Sequence, residues 1–242
     1  MKKILLTLSI LFTLSLLIST ESDAALPVII RNDTIPLSEC VFFGDSTTYG
    51  LFRYNVHNDG SFGNNYHTLQ DSQVWTPKSG TFYLGNLLTC LVDLPDYGEI
   101  PLEKAVRSVR PRCMILTVGI NGLSSWNQDS LTRYYQKLID TIQKESPSTT
   151  IVLQSVYPIA EKAKETFPKF SNGKIDLVNS WISSLASSNH IMYLNTASVL
   201  KNENGFLCDS YHNGDGLHLS TEGFNAMLKY VEEVLSGQKG AA

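Results

Sequence analysis

Ser46, His218 and the carboxylates of Asp45 and Asp215 are the side chains of this chain whose types and setting suit nucleophilic acyl transfer. A serine attacks a carbonyl only when a histidine takes its proton and a third group holds the imidazole in the right tautomer. Asp215-Gly216-Leu217-His218 offers acid and base on a single loop. An ordinary imidazole titrates near pH 6.5 (roughly), so it accepts and returns a proton close to neutrality. The same loop carries a second pair of identical spacing, Asp209-Ser210-Tyr211-His212. The later pair is preferred, because Gly214 and Gly216 permit a tight turn and Leu219-Ser220 leads straight into a helix cap.

Acyl transfer also needs donors aimed at the developing oxyanion. Asn121, in Gly119-Ile120-Asn121-Gly122, can present a side-chain amide, although taken alone the same residues read more readily as a plain turn. Gly63-Asn64-Asn65 has the same spacing but no strand before it. For a second donor the backbone N–H of Gly80, at a strand-to-helix junction, is preferred to that of Gly85, which is expected inside a helix. Metal catalysis is disfavoured: Cys40, Cys90, Cys113 and Cys208 match no zinc spacing, and no His-Glu-x-x-His helix is present. No metal and no cofactor is expected. Cys40 and Cys113 each open a core strand and suit reduced, buried thiols, although four cysteines allow three pairings.

The elements that must position these groups alternate strand and helix from residue 38 onward, the pattern of a parallel sheet covered by helices. Cys40-Val41-Phe42-Phe43 is a short apolar run closed by Gly44-Asp45, and reads as a buried strand over 38–44. Ser46 then lies at the carboxyl edge, where open α/β sheets bind ligands; its competing role is to cap the helix that follows. Further strands are expected at 73–75, 113–118, 150–156 and 191–194, and helices at 81–91, 103–109, 130–145, 174–188 and 221–235. Residues 56–72 form a polar loop holding His57, Tyr66 and His67, which together with Trp75 and Trp126 could shape a pocket. Packing or surface roles are the plainer reading of all five.

Met1-Lys2-Lys3 followed by an apolar run to Ile18, with Ser22-Asp23-Ala24 before Ala25, has the layout of a secretory leader cleaved after Ala24. The rival reading is an uncleaved anchor. Residues 25–242 are then one domain, secreted or extracytoplasmic, with no stable membrane insertion once the leader is gone. The net charge of −4, with both signs well mixed, leaves no basic stripe, so nucleic acid is not a partner.

Gly-Asp-Ser after the first strand, a glycine after the second, Gly-x-Asn after the third and Asp-x-x-His before the last helix together resemble the SGNH hydrolases, the GDSL esterase/lipase family. The resemblance spans roughly residues 38 to 236. It implies a flavodoxin-like three-layer α/β/α fold with a five-stranded parallel sheet. It also implies Ser46 as nucleophile, His218 as base and Asp215 as its orienting acid, with Ser46 N–H, Gly80 N–H and Asn121 as the oxyanion hole. Thr47 stands where the family's short name has leucine, and the second-block glycine is the weakest match. Asp45 is expected to be a structural hydrogen-bonding group. No Gly-x-Ser-x-Gly elbow is present, which argues against the ordinary α/β-hydrolase fold. The implied partner is a small acylated substrate, with an acetylated carbohydrate or cell-surface glycan as the leading case. Lysophospholipase or thioesterase chemistry is the alternative, and a non-catalytic glycan-binding module the reading from another class.

Overall fold

A computed structural model describes residues 34–54, 62–63, 68–87 and 89–237. The leader read over residues 1–24, and His57, Tyr66 and His67, lie outside the described residues. Five short strands form the central sheet: β1 (Cys40–Gly44), β2 (Val74–Trp75), β3 (Cys113–Thr117), β4 (Thr150–Gln154) and β5 (Met192–Leu194). All pair in parallel, in the spatial order β2-β1-β3-β4-β5. That order is the flavodoxin-like arrangement, with its switch point between β1 and β3, and ligands bind beyond the carboxyl ends of the strands at such a point.

The sequence dictates a sheet covered on both sides because its central strands carry unbroken apolar runs, Val41-Phe42-Phe43, Met114-Ile115-Leu116 and Ile151-Val152-Leu153, that would expose one face otherwise. Side chains alternate, so Val41, Phe43, Met114, Leu116 and Leu153 pack in one core, while Cys40, Phe42, Cys113, Ile115 and Val152 pack in the other. The first core is closed by helices α2 (Leu102–Val109), α3 (Gln128–Glu145) and α4 (Asn172–Ser188). The second is closed by α1 (Ser46–Tyr54) and α5 (Thr221–Leu235), through Leu51, Phe224, Met227, Leu228 and Val231. Each such side chain removed from water contributes about 1.5–3 kcal/mol. Asn127, Ser171 and Ser220 cap α3, α4 and α5 with side-chain oxygens.

One expected element is different. Residues 81–91 do not form a helix: a single 3-10 turn, Leu84–Asn86, is followed by an antiparallel hairpin of Leu91–Leu94 with Gly98–Pro101. Leu91-Val92-Asp93-Leu94 alternates with period two, burying Val92 and Leu94 while exposing Leu91 and Asp93, and Gly98 takes φ +64 at the turn. Cys40 and Cys113 are free and buried, as expected of them, and Cys90 and Cys208, whose state the sequence leaves open, are free as well. Cys40 and Cys113 face each other on adjacent strands, and the neighbouring Cys40 together with burial pushes the Cys113 thiol far up. Trp75 is wholly buried and belongs to the core, not to a pocket. Among the described residues no helix is long and apolar enough to cross a membrane.

Candidate active site

The site begins where β1 must turn sharply into α1. Gly44 permits this, because a Cβ there would collide with Thr48 Oγ1 and the Thr117 carbonyl of the neighbouring strand. Asp45 follows, with its backbone carbonyl accepting the N–H groups of Thr48 and Tyr49 at 2.9 Å each, so it ends the strand and starts the helix. Its buried carboxylate accepts the Thr47 N–H at 3.2 Å and the Thr47 hydroxyl at 2.9 Å. Burial pushes this carboxyl up to about 6, against the pull of the Thr47 bonds, the Gly119 N–H and the charge of His218. Asp45 therefore ties the β1 turn to the segment that follows β3.

Ser46 is the first residue of α1 and is partly exposed between buried neighbours. The positive end of the helix dipole favours negative charge at its oxygen. His218 Nε2 lies 3.1 Å from Ser46 Oγ, and His218 Nδ1 lies 2.7 Å from Asp215 Oδ2. Asp215 Oδ1 accepts the N–H groups of Leu217 at 2.7 Å and His218 at 2.9 Å. Partial burial pushes the Asp215 carboxyl up, but the His218 ring and those two N–H groups outweigh it and hold it below the ordinary value. An ionised Asp215 accepts from Nδ1–H, which leaves Nε2 as the acceptor for the Ser46 hydroxyl. Serine, imidazole and carboxylate thus form one chain of hydrogen bonds.

The loop carrying Asp215 and His218 is held from below by the segment after β4. Ala160 N–H donates to Gly216 O at 2.8 Å, and Gly216, at φ +81, lies so close to Ala163 that a Cβ would stand 3.0 Å from that residue's methyl. Two asparagines of α4 brace that segment in turn. Asn179 accepts the Val156 N–H at 2.8 Å and donates to its carbonyl at 2.9 Å, and Asn172 does the same for Ile159 at 2.8 and 2.9 Å. On the other side Tyr135 of α3 clamps the end of β3, donating its hydroxyl to Val118 O at 2.6 Å and accepting the Val118 N–H at 3.1 Å. Sequence reasoning missed these braces. Tyr135 and Asn179 sit within the inner faces of their helices, and a polar group on an apolar stripe was the available signal.

Asn121 follows β3 as expected, and its Nδ2 donates to Phe82 O at 3.0 Å and Thr81 Oγ1 at 3.2 Å. Trp126 Nε1 donates to the Asn121 carbonyl at 3.0 Å and fixes the backbone there. Gly80 lies against α1, and a Cβ on it would meet the Tyr49 ring at 2.7 Å. Its N–H, however, closes a turn onto Pro77 O at 2.7 Å. Gly85 lies in the 3-10 turn near the Tyr134 hydroxyl instead. His212 of the second Asp-x-x-His pair is engaged elsewhere: its Nδ1 accepts the Gly214 N–H at 3.0 Å, and burial followed by the charge of Lys162 lowers its pKa.

The model of the GDSL-like lipase/acylhydrolase family matches residues 42–226 of this chain. Among solved structures, a GDSL-like lipase from Bacteroides thetaiotaomicron is 20% identical, with 86% of this chain and 93% of that one covered at a TM-score of 0.56. The lipase/acylhydrolase from Enterococcus faecalis is 14% identical over 84% of this chain and 97% of its own, also at 0.56. A carbohydrate esterase family 3 protein from Talaromyces cellulolyticus is 12% identical over 82% and 96%, at 0.53. At these identities the likeness is one of fold. No curated protein matches the sequence significantly.

Proposed function

The chain belongs to the GDSL-like lipase/acylhydrolase family, which makes it an ester-cleaving acylhydrolase, and from that premise we propose that Ser46, His218 and Asp215 are its catalytic triad and that its substrate is an O-acetylated carbohydrate. The observation that carries the triad is the position of His218, with one ring nitrogen on Ser46 Oγ and the other on Asp215. As Ser46 Oγ bonds to the ester carbonyl carbon, its proton passes to His218 Nε2 and the carbonyl oxygen becomes an oxyanion. The tetrahedral species collapses by breaking the bond to the alcohol oxygen, which receives the proton from His218. Water then gives a proton to the same nitrogen, attacks the acyl-serine, and releases the carboxylic acid with Ser46 restored.

The acetylated-carbohydrate reading is supported by aromatic and polar groups on α1, which begins at Ser46, and on residues 81–83 and Asn121. Phe52 and Tyr83 are exposed, Tyr49 stacks on Phe52 at 5.9 Å, and Thr81 and Asn121 bring hydroxyl and amide groups alongside. A sugar presents C–H faces that pack on aromatic rings and hydroxyls that need such partners. The test is a substrate series: p-nitrophenyl esters of increasing chain length set against acetylated xylo- and chito-oligosaccharides. Preference for the acetylated sugars supports the reading, and turnover rising with acyl length moves it to lysophospholipase or thioesterase chemistry. Ser46→Ala should abolish turnover of every member; wild-type rates in that variant would remove Ser46 as the nucleophile, and a wild type that turns over no member faster than the variant background would leave only a binding role. The protein is also proposed to be exported and cleaved after Ala24, so its intact mass should begin at Ala25; a mass beginning at Met1 would reject cleavage.

A further inference from the structure

The oxyanion hole is the part of this site that geometry leaves incomplete. Of its expected donors, the Gly80 N–H is committed to Pro77 O at 2.7 Å, and one hydrogen of the Asn121 amide is committed to Phe82 O at 3.0 Å. The bond to Phe82 is anchored, because the Phe82 ring is buried and stacks on Phe43 of β1 at 5.6 Å. What stands beside these groups is the Thr81 hydroxyl. It accepts from Asn121 Nδ2 at 3.2 Å and belongs to an exposed residue, and its own proton has no acceptor among the described residues. Its place is set on two sides: Gly80 rests on the Tyr49 ring, three residues from Ser46 on α1, and Asn121 closes the other side. Residues three apart share a helix face. Thr81 therefore spans the gap between the nucleophile's helix and the Asn121 turn.

We propose that the Thr81 hydroxyl is an oxyanion-hole donor, supplying the contact that the Gly80 N–H does not. A hydroxyl that accepts one hydrogen bond and donates another is polarised by the first, so the amide of Asn121 strengthens the bond Thr81 gives to the developing negative charge. The donor is neutral and no proton leaves it: Oγ–H of Thr81 bonds to the carbonyl oxygen as that oxygen gains charge, and the bond weakens again when the tetrahedral species collapses. The reading rests on Ser46 acting as the nucleophile.

The experiment compares Thr81→Val, Thr81→Ala and Thr81→Ser with wild type on p-nitrophenyl acetate, alongside Ser46→Ala. The proposal expects kcat to fall about 100- to 1000-fold in the valine and alanine variants with KM little changed, because a single oxyanion donor acts in the transition state. The serine variant restores the hydroxyl and should stay within about threefold of wild type. Inhibition by phenylboronic acid, whose serine adduct carries a tetrahedral oxyanion-like centre, should weaken in parallel with kcat. Wild-type kcat in either folded apolar variant overturns the role of Thr81, as does a serine variant as slow as valine. Undiminished activity in Ser46→Ala instead overturns the nucleophile, so the two failures are distinguishable.

Discussion

His218 and His212 lie in one loop, each preceded by an aspartate at the same spacing, yet they meet different environments. His218 has a carboxylate on Nδ1 and a serine on Nε2, whereas His212 spends Nδ1 on the Gly214 N–H of its own turn. A base must be oriented by an acceptor on one nitrogen to receive a proton on the other. His218→Ala should therefore lower kcat by about 10⁴-fold or more, and His212→Ala should leave most of it. Steady-state rates on p-nitrophenyl acetate decide the matter, and the reverse ranking would transfer the base to His212. The chain itself distinguished the pairs through Gly214, Gly216 and the Ser220 cap. What it could not display was the commitment of the Gly80 N–H to Pro77, since a turn hydrogen bond depends on the path of the backbone and not on residue type.

Elements position Ser46, Asn121 and the Asp215-His218 loop through bonds that run between layers, and those bonds are the least legible in the sequence. The five parallel strands, the helices that cover them and the strand-end location of Ser46 and Asn121 follow from apolar runs and periodicity, which report burial directly. Leu84, Leu87 and Leu91 carry the three- and four-residue steps of a helix, but Leu91–Leu94 finds a better partner across a hairpin. Tyr135 reads in sequence as one more apolar position of α3, but its hydroxyl holds both backbone groups of Val118, three residues before Asn121. Tyr135→Phe keeps the packing and orphans a buried N–H and C=O, so it should cost about 1–3 kcal/mol of stability. Because the end of β3 then loses its clamp, kcat should fall while KM holds. Denaturant melts and kinetics on the same preparation test both parts, and a variant unchanged in either would remove Tyr135 from the positioning of Asn121.

At the scale of the molecule, two aspartates near the site place opposite demands on pH. Asp215 has a pKa below its ordinary value, so its contribution is present above the unfolded value and is lost as pH falls through the folded one. Asp45 is raised from 3.8 to about 6 by burial, so its contribution is fully present below 3.8 and is lost as pH rises through about 6. Over that window the folded protein must ionise a carboxyl it has enclosed, at a cost of about 3 kcal/mol. Asp45→Asn has no such titration, and its side-chain oxygen can still accept the two Thr47 bonds. Any fixed loss from the amide facing the Gly119 N–H is independent of pH, so the difference between variant and wild type isolates the ionisation. Relative to wild type, Asp45→Asn should gain about 2 kcal/mol of stability between pH 4 and pH 7, read from denaturant midpoints across that range. A difference that stays flat would mean that Asp45 pays no burial penalty, and the tie it makes between the Ser46 turn and Gly119 would then be as strong charged as neutral.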